Sequence, residues 1–321
     1  MKPKTNDTKS SEVLSYSPEV TVIVVTYNQD LNRIIETLDS IVMQEEISFE
    51  IIICDDGSKT RYENELRSYF SSKNFCHYTL IFHDYNEGTV SNYYSGLRKA
   101  KGRYTKLLSP GDFFAEKKTL YKWVQFIKMK DSEWSFSDAY YYLVTEGRKE
   151  FLQVNARPQI IQPYEKKDEN KCIWNYVVLS DIANGAAIIG TTRVQLHYCK
   201  IILENGVKYA EDYIYRLMML HGIIGCYYPA ATICYELGTG VSTSHDPTWD
   251  KKLAEDGKKF LQIMKDYSIT DQQKKVADAF IKSSNKNKIK KIFIKGKLNL
   301  WLKKNFFPRL TAIPNEADQH E

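Results

Sequence analysis

Five short polar segments of this 321-residue chain carry side chains that could bind a substrate or move a proton. They read T-Y-N at 26–28, D-D-G-S at 55–58, N-E-G at 86–88, S-P-G-D at 109–112 and E-D at 211–212. Carboxylates in such segments can accept hydrogen bonds from a ribose or a base, ligate Mg²⁺ or Mn²⁺ beside a diphosphate, or deprotonate a hydroxyl. The sequence therefore holds the residue types needed for acid–base or metal-assisted chemistry.

Each acidic segment also has a purely structural interpretation. Asp55 and Asp56 lie in a turn where they can cap the N–H groups of a following helix. The Pro-Gly turn can leave Asp112 as the cap of the next helix. Glu211 and Asp212 open a predicted helix, where adjacent acids often only complement the helix dipole. Taken one at a time, these segments leave both interpretations open.

Several common sequence motifs are absent. No G-x-G-x-x-G follows the first predicted strand, and no G-x-x-x-x-G-K-[ST] occurs, which argues against a dinucleotide oxidoreductase and against a P-loop kinase or ATPase. The six cysteines show no C-x-x-C spacing. They are therefore expected to be buried free thiols in a reducing compartment rather than zinc ligands or disulfides.

The first half of the chain alternates apolar strands with amphipathic helices. Strands are predicted at 20–25, 49–54, 78–82 and 104–108. This rhythm predicts βαβ units in a parallel sheet that is buried on both faces. Because ligands of open α/β sheets bind at the carboxyl ends of the strands, we expect the polar segments that follow these strands to converge on one crevice.

The second half has a less regular pattern. Strands are predicted at 140–144 and 149–154, which would form a hairpin, and at 185–189 and 223–235, the last broken at Pro229. Helices are predicted at 113–129, 191–199, 209–221, 251–268 and 271–283. The sequence contains no internal repeat.

Composition places the chain among ordinary globular proteins. Hydrophobic residues make up 43% and charged residues 26%, which excludes wholesale disorder. The formal net charge of +5 is uneven, because residues 282–309 hold ten Lys or Arg and no acid. The rest of the chain is then mildly acidic, so no nucleic-acid partner is expected.

The basic segment also carries Trp, Phe, Leu and Ile side chains between its lysines. This pattern is typical of a helix that lies on an anionic membrane surface, although a helix packed on the domain would show a similar one. No apolar stretch is long enough to span a bilayer, and residues 1–17 lack the apolar region of a signal peptide. We therefore expect peripheral membrane binding through residues 282–309.

The polar segments, taken together with their flanking strands, resemble those of family 2 glycosyltransferases with the GT-A fold. The matching segments are V-T-V-I-V-V-T-Y-N-Q, E-I-I-I-C-D-D-G-S, N-E-G-x-x-x-N, G-R-Y-T-K-L-L-S-P-G-D and A-E-D, in family order and at family-like spacing. The similarity covers residues 20–244. It implies an α/β GT-A fold with a mostly parallel central sheet, flanking helices and, in this chain, a basic C-terminal helical extension.

The resemblance assigns roles to residues of this sequence. It implies that Asp212 is the base of an inverting reaction, with Glu211 beside it. The residues implied to bind the nucleotide-sugar donor are Thr26, Tyr27, Asn28, Asp55, Asp56, Asn86, Gly88, Ser109 and Gly111.

The metal motif of the family is altered in this chain. Residues 109–112 occupy the place of D-x-D-D, but Ser109 and Gly111 stand where the family usually has acids. The resemblance therefore implies Mn²⁺ or Mg²⁺ bound through Asp112, with one carboxylate fewer in reach.

The resemblance also implies a substrate class and a location. The expected reaction moves one hexose, with UDP-glucose or UDP-galactose favoured, onto a lipid-diphosphate-linked sugar such as GlcNAc-diphosphate-undecaprenol. The product would be a β-glycoside of O-antigen or capsule, made at the cytoplasmic face of a bacterial membrane. The Q-x-x-R-W motif of processive synthases is absent, which favours one transfer per encounter.

The expected domain organisation is a disordered leader at 1–18, a catalytic domain at 19–245, a basic helical extension at 246–310 and a tail at 311–321. The catalytic domain divides into a donor half, about 19–112, and an acceptor half, about 113–245. The alternative is a catalytically silent GT-A domain that acts as a sugar-nucleotide-binding or assembly subunit. A sugar-nucleotide pyrophosphorylase is disfavoured because the Gly-rich segment after the first strand is missing.

Overall fold

The computed structural model describes residues 16–152, 158–238 and 247–285. The strands are β1 Val20–Thr26, β2 Phe49–Asp55, β3 Tyr78–Phe82, β4 Tyr104–Leu108, β5 Phe113–Phe114, β6 Trp134–Thr145, β7 Arg148–Phe151, β8 Ile188–Thr191 and β9 Cys226–Glu236. The helices are α1 Leu31–Val42, α2 Glu63–Ser72, α3 Thr89–Lys99, α4 Thr119–Lys130, α5 Gln162–Glu165, α6 Glu169–Ile173, α7 Thr192–Glu204, α8 Tyr213–Leu220, α9 Pro247–Asp266 and α10 Asp271–Asn285.

The described strands form one mixed sheet in the order β3-β2-β1-β4-β8-β6-β9-β5, with β7 paired to β6. The pairs β3–β2, β2–β1, β1–β4 and β6–β9 are parallel. The remaining pairs are antiparallel. The parallel half places the loops after β1, β2 and β4 at the same edge, because parallel strands end on the same side of a sheet.

Both faces of the parallel half are buried. Along β1, Val22 and Val24 belong to a core cluster that includes residues of α1, α2 and α4, whereas Ile23 belongs to a second cluster with α3, α7 and α8. Successive side chains of a strand point to opposite faces, which explains why the run of β-branched residues in β1 shows no polar alternation.

The four strands predicted in the first half are confirmed to within one residue at each end. The hairpin is also confirmed, with a longer first strand, β6, and a second strand, β7, that ends earlier than predicted. The predicted break at Pro229 coincides with a register shift, since Ser137 pairs with Tyr228 but Asp138 pairs with Ala231. A proline there is tolerated because the ladder is already irregular.

The predicted helix over 113–129 is wrong at its start. Phe113 and Phe114 form β5 and pair with β9, and helix α4 begins only at Thr119. Two adjacent aromatic side chains, each 4% exposed, are buried more completely in the sheet than in the first turn of a helix. Asp112 therefore precedes a strand and does not cap a helix.

Two further boundaries differ from the predictions. Residues 185–187 form a 3₁₀ turn, so the short strand predicted at 185–189 begins at Ile188 as β8. The helix predicted over 209–221 begins at Tyr213 as α8. Backbone N–H groups of Tyr209 and Ala210 donate to the side chain of Asp256, which holds this segment as an extended turn.

Helices α9 and α10 belong to the same core as the sheet. Phe260, Ile263 and Met264 of α9 and Phe280 of α10 are buried in the cluster that contains Ile23 of β1. No helix in the three described ranges combines the length and the apolar character needed to cross a bilayer. Most of the predicted leader and most of the basic segment lie outside the described residues.

Candidate active site

A cavity of about 410 Å³ lies where β1, β2 and β4 reach their carboxyl ends. Seven residues predicted to act in the site line it: Thr26, Tyr27, Asp56, Ser109, Asp112, Glu211 and Asp212. The other five, Asn28, Asp55, Asn86, Gly88 and Gly111, are not part of its lining. The structure thus brings the loops of the first half and the acidic pair of the second half to one space.

Asp55 holds the end of β1 to the turn after β2. Its carboxylate accepts hydrogen bonds from Thr26 Oγ1 at 2.9 Å and from the backbone N–H and the hydroxyl of Ser58 at 2.8 and 2.5 Å. The side chain is 4% exposed. Asp55 therefore joins the end of β1 to the turn after β2, and its contact with the donor stays a prediction.

Asp56 lies closer to the cavity and fixes the next loop. Its two oxygens accept the N–H groups of Glu87 and Gly88 at 2.8 and 3.0 Å. Burial raises the pKa of Asp56, and these two hydrogen bonds oppose the rise. Gly88 has φ +101°, and a Cβ there would lie 2.6 Å from the Lys208 carbonyl. The loop is therefore closely packed, while Asn86 is exposed at its surface.

Asn28 is a second loop residue with an internal role. It has φ +49°, its N–H donates to Ser58 Oγ at 2.7 Å, and its side-chain oxygen accepts the N–H of Lys59 at 3.0 Å. Asn tolerates this left-handed backbone better than most residues. The neighbouring Tyr27 is 41% exposed and lines the cavity, so its ring is available to a ligand.

The turn at 109–112 is fixed by Thr37 of α1. The Thr37 hydroxyl accepts the Gly111 N–H at 3.0 Å and donates to the Asp112 carbonyl at 2.8 Å. Gly111 has φ +100°, and a Cβ at this position would lie 2.3 Å from Glu236 Oε2 and 2.5 Å from Arg33 Nη2. The space where the family usually has an acidic side chain is therefore filled by Glu236 and Arg33.

Arg33 and Glu236 form an ion pair that the sequence analysis missed. The guanidinium donates to both carboxylate oxygens, at 2.8 and 2.7 Å, and also to the Pro110 carbonyl at 3.0 Å. Both residues line the cavity. They lie 203 positions apart, in α1 and at the end of β9, so no local pattern connects them.

Asp112 and Lys106 place opposite charges beneath this turn. Asp112 Oδ1 accepts the N–H of Glu236 at 3.1 Å, and burial raises the pKa of Asp112 to about 7. Lys106 is fully buried on β4, donates to the Leu107 carbonyl at 2.7 Å, and has its pKa lowered to about 7 by burial. The charge of each group favours ionisation of the other. Lys106 is not part of the cavity lining and acts on the site only through its charge near Asp112.

The carboxylates near Asp112 limit how a divalent cation could bind. No group of three or more His, Cys, Asp or Glu side chains that could hold a metal occurs in the described part of the chain. Magnesium at phosphate sites is often bound by one or two carboxylates together with substrate phosphates. Asp112 supplies one such carboxylate at the cavity wall, and Glu236 is engaged by Arg33. The residues therefore fit a cation whose shell a substrate diphosphate completes.

Glu211 and Asp212 also line the cavity, just before α8. Gly185 of the 3₁₀ turn packs against them, since a Cβ there would lie 3.9 Å from both Glu211 Oε1 and Asp212 Cβ. Both acids keep part of their surface accessible to the cavity. Any side chain larger than hydrogen at position 185 would narrow the space in front of them.

The two acids are held in different charge environments. Burial and the charge of Asp212 together raise the pKa of Glu211 to about 8. Burial also raises the pKa of Asp212, but the buried Arg216 guanidinium opposes this rise. Arg216 therefore favours the ionised form of Asp212, whereas the charge of Asp212 favours the protonated form of Glu211.

Asp256 of α9 holds the segment that precedes the acidic pair. Its carboxylate, 1% exposed, accepts the N–H groups of Lys208 at 3.1 Å, Tyr209 at 2.7 Å and Ala210 at 3.2 Å. A carboxylate that caps several N–H groups is a strong local anchor. In the domain organisation predicted from the sequence, α9 lies outside the catalytic domain and Asp256 has no role. Because Asp256 lies in the middle of a helix, no local pattern indicates that it anchors another segment.

Residues 21–178 match the model of a protein family described as glycosyl transferase family 2. This match extends over just under half of the chain and supports its assignment as a family 2 glycosyltransferase. An uncharacterized glycosyltransferase of Rickettsia felis is 32% identical over 163 residues, which cover 49% of this chain and 26% of that protein. Another, from Rickettsia typhi, is 34% identical over 201 residues, covering 62% of this chain and 58% of that protein. The chain thus spans about a quarter of the first relative.

Solved structures share the fold of this chain. The S. aureus TarS fragment 1–349 in complex with UDP-GlcNAc superposes with a TM-score of 0.57 at 16% identity, covering 88% of this chain and 77% of that one. The mannosyltransferase PcManGT from Pyrobaculum calidifontis, in complex with GDP-Man and Mn²⁺, gives 0.56 at 17% identity, covering 92% and 78%. The predicted α/β GT-A fold is confirmed.

Proposed function

We propose that this family 2 member is an inverting, non-processive glycosyltransferase that moves one hexose from a nucleotide-diphosphate donor to a sugar hydroxyl. The observation that carries the proposal is the placement of Glu211 and Asp212 in the same cavity as Thr26, Tyr27 and Asp56. The cavity thus has a nucleotide side and a base side. Attack from the base side on an α-linked donor sugar gives a β-glycoside.

Asp212 is the proposed general base. It would take the proton of the acceptor hydroxyl while that oxygen attacks the anomeric carbon and the nucleoside diphosphate leaves. Arg216 favours the ionised form of Asp212, and burial together with the Asp212 charge favours a proton on Glu211. A general base of this kind contributes about 10²–10⁴-fold to a rate.

The donor is proposed to be UDP-glucose or UDP-galactose, bound by the loops at 26–28 and 55–58. Support comes from the sugar nucleotides present in the complexes of TarS and PcManGT, which differ in base and in sugar. Asp112 would hold Mn²⁺ or Mg²⁺ together with the donor diphosphate. Bound there, the cation would supply electrostatic stabilisation of the leaving group.

The acceptor is proposed to be a sugar linked to a lipid diphosphate, such as GlcNAc-diphosphate-undecaprenol, used in O-antigen or capsule synthesis. The basic segment at 282–309 supports this proposal, because its lysines and aromatic residues suit the anionic inner face of a bacterial membrane. The protein would then meet its acceptor at the membrane surface.

A donor screen tests the proposed function. Purified protein would be incubated with synthetic GlcNAc-diphosphate-undecyl, each of several UDP-, GDP- and dTDP-sugars, and either Mn²⁺ or EDTA, with products identified by mass. We expect one added hexose from a UDP-sugar and loss of product with EDTA. Product formation that survives EDTA would contradict the cation at Asp112. Nucleotide binding without any transfer would favour the alternative of a silent sugar-nucleotide-binding domain.

A further inference from the structure

A cation held over two aromatic rings borders the base side of the cavity. The rings of Tyr209 and Trp249 pack edge to face with centroids 5.2 Å apart. Lys252 Nζ lies 4.2 Å from the Trp249 ring centroid and 4.9 Å from that of Tyr209. Tyr209 itself lines the cavity, as does Leu253, the neighbour of Lys252 on α9.

Lys252 has no carboxylate partner within the described ranges. The ion pairs there engage other lysines of α9 and α10, such as Lys259 with Asp256 and Lys274 with Asp271, but not Lys252. A cation–π contact orients an ammonium group without neutralising it. The Lys252 charge therefore remains available to an anion at the cavity rim.

The position of this cluster relates it to the proposed base. Tyr209 is two residues before Glu211, and both residues line the cavity. Asp256 ties α9 to the backbone of residues 208–210, so the aromatic pair and the acidic pair are held by one anchor. A ligand on the cluster would thus lie beside the proposed base.

We propose that Tyr209, Trp249 and Lys252 form an acceptor subsite for a sugar that carries a phosphate or diphosphate group. Lys252 pairs with a phosphate oxygen, and the exposed parts of the aromatic pair contact the apolar face of the sugar ring. The inference rests on the proposed function, because that function makes the nearby cavity the active site. The chemical class of the ligand is inferred from these three residues. It makes the acceptor anionic, whether its phosphate belongs to a lipid or to a free sugar phosphate.

Binding of synthetic acceptors tests the subsite without requiring turnover. Isothermal titration in saturating UDP would compare GlcNAc-diphosphate-undecyl, GlcNAc-1-phosphate and the neutral undecyl β-glycoside of GlcNAc. Wild type is expected to bind both phosphorylated probes more tightly than the neutral one. Lys252→Ala should weaken their binding about tenfold, the effect of losing one charge-assisted contact, and leave the neutral glycoside unchanged. Lys252→Arg should restore most of the affinity.

Lys258→Ala is the matched control, because Lys258 is an exposed lysine on the same helix. It should bind every probe like wild type, and UDP affinity should be equal in all variants. Tight binding of the lipid probe but not of GlcNAc-1-phosphate would assign the phosphate to a lipid-linked acceptor. Equal affinity of wild type and Lys252→Ala for phosphorylated probes, or no binding by wild type, would overturn the subsite. Binding that depends on Lys252 without any transfer would instead count against the proposed function alone.

Discussion

At the scale of single residues, the site divides into groups that face the cavity and groups that hold them. Asp56, Asp112 and Asp212 line the cavity, whereas Asp55 and Asn28 make only internal hydrogen bonds. The sequence motifs include all five residues without distinguishing these two groups, because each loop needs both residues that face the cavity and residues that hold its backbone. Only the three-dimensional contacts separate a binding carboxylate from a capping one.

The raised pKa of Glu211 predicts how stability depends on pH. Its folded pKa of about 8 lies above the ordinary carboxyl value of 4.5, so the folded state binds a proton more tightly than the unfolded state. The free energy of unfolding should therefore fall as pH rises from about 4.5 to 8. Glu211→Gln should flatten this dependence in urea unfolding measured at pH 5, 7 and 9. An identical pH profile for variant and wild type would contradict the assigned environment.

The environment of Gly111 predicts that adding a side chain at this position of the altered metal motif lowers the free energy of unfolding. Gly111→Ala should destabilise the fold by more than Gly147→Ala, which has φ +76° but open space around its Cβ position. Both variants should lose about 1–2 kcal/mol of stability because alanine disfavours the left-handed backbone. Only Gly111→Ala also displaces Arg33 and Glu236. Urea unfolding of both variants measures the difference. Equal losses would show that the Arg33–Glu236 pair moves aside freely.

At the scale of elements, the sequence was most informative where strands are buried on both faces. The four strands of the parallel half were predicted from their apolar runs, and the loops after them were expected to converge. The start of α8 and the role of α9 were not predictable, because both depend on Asp256, about 47 residues from the backbone it binds. Local patterns carry no information on such long-range hydrogen bonds.

The hydrogen bonds of Asp256 to residues 208–210 yield a prediction about the segment that precedes Glu211 and Asp212. Asp256→Asn should lower stability by about 1–3 kcal/mol, because an amide accepts fewer of the three N–H groups, and should lower kcat more than it raises donor KM. Glu255→Gln, an exposed neighbour on α9, is the control and should behave like wild type. Thermal unfolding and steady-state kinetics give both quantities. A stability loss with unchanged kcat would restrict Asp256 to folding.

At the scale of the whole molecule, the chain combines a GT-A fold with helices that extend its core. The family model ends at residue 178, yet the acidic pair, α8, α9 and α10 all lie beyond it. The sequence predicted the fold class through ordered motifs. The sequence could not predict that α9 packs in the main core, and α9 was assigned to a separate extension. An amphipathic pattern shows that a helix has a buried face but not which surface that face contacts.

The basic segment yields a prediction about membrane association. Full-length protein should float with liposomes that contain phosphatidylglycerol, and a variant ending at Asn285 should not, because the variant loses nine of the ten clustered basic residues. Binding should weaken as salt increases, and neutral phosphatidylcholine liposomes serve as the control. Equal flotation of both proteins would place the membrane contact elsewhere.

The most direct test of the central claim measures transfer by Asp212→Asn, with UDP affinity measured on the same preparation. The account predicts that transfer falls at least about 100-fold, since the proton acceptor is lost. UDP affinity should stay within about twofold of wild type, because the proposed UDP contacts lie in the loops at 26–28 and 55–58 and not at Asp212. Glu211→Gln should retain most of the activity at pH 7, where Glu211 is already protonated. Near-normal transfer by Asp212→Asn would contradict the claim that this side chain is the catalytic base.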